Sequence, residues 1–162
     1  MSSRSAVAAV GFHYELTGSG WSECRISIGG ARCEVTASYL SDALGELASA
    51  VEDVLRWPGV DARAVLVEEP GEYRWRFIQA GNERVRVKII EFPDWGGKDD
   101  GSGKPIFDAE CDRRSLGESV ARQLRRLLDV HGVRGYRRKW VNNDFPMQRF
   151  LAIEALLSVA GV

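Results

Sequence analysis

Few side chains in this sequence belong to types that do covalent chemistry. The only histidines are His13 and His131, and the three cysteines are Cys24, Cys33 and Cys111. A nucleophile needs a base beside it, and a metal needs clustered ligands. His13 falls on the charged side of an alternating strand, and His131 falls near a helix C-terminus, so the two do not form a pair. The cysteine spacing matches neither a zinc site nor a disulfide framework. Cys24 and Cys33 fall on neighbouring strands, which leaves a bridge between them open. HExxH, GxSxG, a phosphate-binding P-loop and a GxGxxG before a helix are all absent. Asp99-Asp100 lacks the regular acidic spacing of a calcium loop, and it would repel phosphate from the glycines of Gly96 to Gly103. No catalytic residue, metal ligand or cofactor is therefore assigned.

The chemistry that does stand out is ionic. Glu68-Glu69-Pro70-Gly71-Glu72-Tyr73-Arg74-Trp75-Arg76-Phe77 sets three carboxylates at a hairpin tip beside two arginines. Arg84, Arg86 and Lys88 alternate with Val85, Val87 and Ile89 on the next segment. Period-two alternation sends all five cations to one sheet face. They form a candidate partner-binding face, with Glu69 available to orient an arginine. Trp95, in a Gly/Asp-rich segment over 94–104, is a candidate exposed anchor. The competing reading is a solvated face whose cations pair with Glu15, Glu23 and Glu34. A polar ligand groove around Glu69 and Arg74 is the enzymatic alternative. A second cluster, Arg134, Arg137, Arg138 and Lys139 with Tyr136 and Trp140, has the composition of a single-strand nucleic-acid contact. Its aromatics would equally serve as anchors to the core.

Strands and helices must position these groups. Phe12, Tyr14 and Leu16, then Cys24, Ile26 and Ile28, then Cys33 and Val35 alternate with polar residues, and Gly29-Gly30 reads as a hairpin turn. Leu40, Leu44, Leu47, Val51, Val54 and Leu55 recur at helical spacing and end at Trp57-Pro58-Gly59. Ser38 or Ser41 is the expected cap. Strands over 64–68, 73–77 and 85–89 follow, with a fourth over 105–111. Ser115 to Glu118 reads as a capping box, followed by a stripe of Leu116, Val120, Leu124, Leu127 and Leu128 that stops at Gly132. A last helix begins near Asp144 and Pro146 and buries Phe150, Ile153 and Leu157. The expected fold is α+β, a predominantly antiparallel sheet of six to seven strands with helices on one face, in the order βββα-βββ(β)-αα, as a single domain over 1–162.

The 162 residues carry 44% hydrophobic and 28% charged side chains, the profile of a globular chain. A formal net charge of -1 disfavours a general nucleic-acid binder. Only four of the 22 basic residues are lysines, which fits a GC-rich bacterial coding sequence. Residues 1–10 lack the long apolar region of a signal peptide. No segment approaches the ~20 apolar residues of a membrane span, so the cytoplasm is the default location. The motifs Ser38-Tyr39-Leu40-Ser41-Asp42-Ala43-Leu44-Gly45 and Glu68 to Trp75, with Tyr136, Trp140 and Phe145-Pro146, resemble a group of small α+β proteins of actinobacterial type. In size and charged layout the chain is also similar to immunity proteins of bacterial toxin systems. The first resemblance implies no activity. The second implies a non-enzymatic, immunity-type inhibitor that binds a protein partner.

Overall fold

The computed structural model describes residues 8–95 and 99–159. The N-terminal stretch read above for a signal peptide lies largely outside the described residues, as do Gly96, Gly97 and Lys98 of the Gly/Asp-rich segment.

The elements follow the expected order: β1 (Val10–Gly18), β2 (Trp21–Ile28), β3 (Ala31–Ser38), α1 (Ala43–Arg56), β4 (Ala62–Val67), β5 (Glu72–Gln79), β6 (Arg84–Phe92), β7 (Lys104–Asp112), α2 (Arg113–Trp140) and α3 (Met147–Val159), with a 3-10 turn at Asp100–Ser102 before β7. The strands do not form one sheet. They form two antiparallel sheets, β1-β2-β3 and β4-β5-β6-β7. α1 intervenes between β3 and β4, which touch without joining in a ladder. Local alternation specifies which face of a strand is apolar, but it does not specify which strand lies beside it.

α1 packs along β4, α2 along β1, and α3 against α1. One buried cluster draws Tyr14, Ile26 and Val35 from the smaller sheet and Trp75, Phe77 and Val87 from the larger one. Leu44, Leu47, Val51, Leu124 and Phe150 join it from the helices. Leu128, expected in the core, is only partly buried at its margin. Leu40 precedes α1 and is exposed, so it takes no part in the stripe.

Three helix boundaries differ from the sequence reading. Asp42, rather than Ser38 or Ser41, caps α1 by accepting from Gly45 N–H at 3.2 Å. Asp112 caps α2 by accepting from Ser115 N–H at 2.8 Å, while Glu118 pairs with Arg114 at 2.9 Å. Gly132 does not end α2. It bends the helix with φ 67° and ψ 172°, and the helix resumes to Trp140. Only glycine takes this conformation without a Cβ clash. The resumption has a packing cause: Tyr136 and Trp140 are fully buried, and Tyr136 stacks edge-on against Phe145 with centroids 5.7 Å apart. Lys139 C=O accepts from Gly20 N–H at 2.7 Å, tying the end of α2 to the β1–β2 turn.

Candidate protein-binding face

The larger sheet presents its outer face through alternate residues of β5, β6 and β7. Ladder register sets Arg76 beside Lys88 and Lys88 beside Asp108. The next row runs Ile78, Arg86 and Glu110. All five expected cations lie on this face. What the sequence reading missed is their partners. Arg86 grips Asp108 through two nitrogens, the Nε contact at 2.6 Å, and Arg84 Nε donates to Glu110 at 3.0 Å. The hydrogen bond and charge of Arg86 hold the Asp108 carboxyl below the usual carboxylate range. Glu15, Glu23 and Glu34 are not the partners, because they lie on the smaller sheet. The face is thus an ion-pair lattice of mixed sign rather than a basic patch. Its signal in the sequence was Asp108 and Glu110 alternating with Phe107, Ala109 and Cys111.

Arg74 has a different fate. Its side chain is only 9% exposed, with Nη1 at 2.8 Å from Asp100 and Nη2 at 3.7 Å from buried Glu72. Its guanidinium lies 4.2 Å from the centroid of Phe92. Asp100 also reaches Arg76 Nε at 3.4 Å. Here the 3-10 turn folds over the outer face and buries Ile90 and Phe92, making a small second core beneath a long connection. A Cβ on Gly103 would collide with Ile90 and the Phe92 ring, which requires glycine there. Glu69 stays exposed at the hairpin tip, and Asp100 takes the orienting role that had been considered for it.

Trp95 lies beyond the end of β6, at the β4–β5 hairpin end of the larger sheet. It is 51% exposed, and its Nε1–H donates to Glu68 C=O at 2.7 Å, which tethers the indole to the hairpin. Glu68 in turn accepts from Thr36 Oγ1 at 2.6 Å.

Elsewhere the chemistry is sparse. The three cysteines are free thiols, and burial pushes Cys24 well up and Cys111 to about 12. His13 lies 3.6 Å from Glu15 on the smaller sheet, while His131 is held down by partial burial and then by Lys139 and Arg126. Among the described residues no group of three His, Cys, Asp or Glu is placed to hold a metal ion. No helix among them is long and apolar enough to cross a membrane. Tyr136 and Trp140 serve as core anchors, so neither of these rings is offered to a base. A groove of about 700 Å³ runs between the starts of α1 and α3, with Phe145 and Met147 opposite Asp42 and Glu46. Burial raises both carboxyls. Its lining includes Ser41, Asp42, Gly45, Phe145 and Pro146 from the motifs that carry the resemblance, although the sequence reading assigned no site to them.

Compared with known proteins, the chain matches no protein family, no curated protein and no solved structure.

Proposed function

We infer that the chain is a non-enzymatic binding domain that docks a protein partner on the outer face of β5–β7. Trp95 is the observation that carries this reading. A half-exposed indole tethered through its Nε1–H at the hairpin end of the sheet that carries these charges has the character of an interface hot spot, with much apolar area and a polar anchor to set register. The mixed signs of Arg76, Lys88, Asp108, Arg86 and Glu110 favour a protein surface of matching mixed charge over a polyanion. The most specific form of the reading is an immunity-type inhibitor, supported by the similarity in size and charged layout.

Arg74 is too deeply involved in the fold to be a clean probe, so the test uses other residues. Exchanging Arg86→Asp with Asp108→Arg keeps an ion pair but inverts the lattice at that point, and Trp95→Ala removes the anchor. Both variants are expected to keep the parent circular dichroism and a cooperative melt, with the exchange lowering the midpoint modestly because it sets like charges opposite Glu110 and Lys88 on an exposed face. In affinity capture from the source cell, each is expected to lose the principal partner of the parent at least tenfold. If both variants retain that partner at parent levels, the face is not the interface.

A further inference from the structure

The edges of the two sheets are not treated alike. In an antiparallel ladder, alternate residues of an edge strand point their N–H and C=O away from the sheet. On β1 these include Val10 and Tyr14, and α2 answers them. Ser119 Oγ donates to Val10 C=O at 3.1 Å, Gln123 Oε1 accepts from Tyr14 N–H at 3.2 Å, and the Arg126 guanidinium donates to Tyr14 C=O. On β4 they include Val65 and Val67, and α1 with its lead-in answers them. Ser41 Oγ accepts from Val67 N–H at 3.1 Å, and the Glu46 carboxylate takes Val65 N–H. β3 carries mixed Arg32, Glu34 and Thr36 and lies against both β4 and β7. On β7 the outward-pointing residues are Asp108 and Glu110. Among the described residues nothing hydrogen-bonds their outward backbone groups.

We propose that the β7 edge accepts an extended segment of a partner as an added antiparallel strand, with lysine or arginine alternating with apolar residues. The charge follows from the register. Residues directly opposite Asp108 and Glu110 share their face, where both carboxylates are partly exposed and already flanked by Arg86 and Arg84 on the inner side. A cation on the outer side completes each row, since a carboxylate oxygen accepts more than one hydrogen bond. The alternate residues of the added strand continue the apolar face of Phe107, Ala109 and Cys111, and Ala109 is small and only partly buried. Pro105 and the unpaired Ile106 end the regular ladder on one side. The usable edge is therefore residues 107–112, about 20 Å of strand. A second copy of this chain is a poor occupant, because antiparallel β7–β7 pairing would set acidic residues against acidic residues. The proposal does not depend on the face described above: a folded partner there reads side chains, whereas an added strand takes up backbone groups.

The test uses the full chain, labelled for amide NMR. The probe is an acetylated, amidated Lys-Val-Lys-Val-Lys-Val peptide, and the control is its Glu-Val counterpart. In the free protein the Asp108 and Glu110 amides are expected to exchange at least tenfold faster than those of Ala109 and Cys111. Millimolar basic peptide is expected to slow them tenfold or more, and the acidic peptide is expected to leave them unchanged. Glu110→Pro removes one outward donor without touching the β6 ladder, and is expected to abolish the protection of Asp108. The free-protein measurement needs no variant, so it stands even if Glu110→Pro misfolds. Slow exchange at Asp108 and Glu110 in the free protein would show that the edge is already closed. Failure of the peptide to protect them, or signals moving only at Arg32, Glu34 or Trp95, would also overturn the proposal.

Discussion

β1 and β7 are both nine-residue strands at the margin of an antiparallel sheet, and they meet solvent in opposite ways. The backbone of β1 is answered by three side chains of one helix, while among the described residues no side chain hydrogen-bonds the outer edge of β7, which carries its own carboxylates and a bulge. An exposed edge is a template for unwanted pairing. The sealed strand lies beneath a helix that must pack there to bury Leu124 and Leu127, so its seal comes with the core. The β7 edge lies outside the reach of α2's polar stripe, and what protects it is electrostatic. Protection of that kind can be withdrawn by a partner of opposite charge. Protection by packed helix side chains cannot be removed without unpacking the core.

The largest effect on this contrast is expected at Trp140, which is fully buried and holds the end of α2 against the first hairpin. Trp140→Ala is expected to cost about 3–5 kcal/mol in denaturant melts. It is also expected to speed amide exchange at Tyr14 more than at Ala109. Equal acceleration at both would mean that α2 does not specifically secure β1. A smaller effect is expected from Gln123→Ala, which leaves the Tyr14 N–H without its acceptor. The expected cost is about 1–3 kcal/mol, with Tyr14 exchange at least tenfold faster. Unchanged Tyr14 exchange would show that the side-chain seal is not needed.

The smallest effects are electrostatic, and they have opposite signs at a sealed and an open edge. Glu46, which seals β4, has its carboxyl raised by burial. A raised carboxyl binds its proton more tightly in the folded state, so this contribution declines as pH rises from the unfolded value through the folded one. Asp108 on β7 is lowered, chiefly by its hydrogen bond from Arg86. Its contribution is present above the unfolded value and is lost as pH falls through the folded one. Between pH 6 and pH 3, the stability difference between parent and Glu46→Gln is therefore expected to move opposite to that between parent and Asp108→Asn. The Asp108 effect should stay small because that pair is exposed. Urea melts at several pH values read both, and parallel trends would refute the assignment.

Much of this was legible in the sequence. Alternation alone placed Arg74, Arg76, Arg84, Arg86 and Lys88 on one face, and Trp95 stood out as a candidate exposed anchor from its Gly/Asp-rich surroundings. The strand order and the helical stripes also emerge from periodicity. The division into two sheets did not, because neighbour choice between β3 and β4 depends on how α1 packs rather than on any local pattern. The burial of Arg74 was hidden for a similar reason: Asp100 lies 26 residues away, in a segment whose Gly/Asp content reads as solvated. The seal on β1 left a faint trace. Ser119, Gln123 and Arg126 each precede a residue of the buried stripe, Val120, Leu124 and Leu127, by one position. Polar residues flanking a stripe so regularly sit where a helix meets its neighbour, but nothing local distinguishes a strand edge from water.

The β1 seal also has a consequence in time. Tyr14 finds its acceptor 109 residues later, at Gln123, and its second partner 112 residues later, at Arg126. At about 5–20 residues per second of synthesis, roughly 5–20 s separate the emergence of the first hairpin from that of the helix that closes it. During that interval the nascent chain carries a nine-residue strand with one bare edge. Until α2 emerges, the outward backbone groups of Tyr14 have only water as a partner.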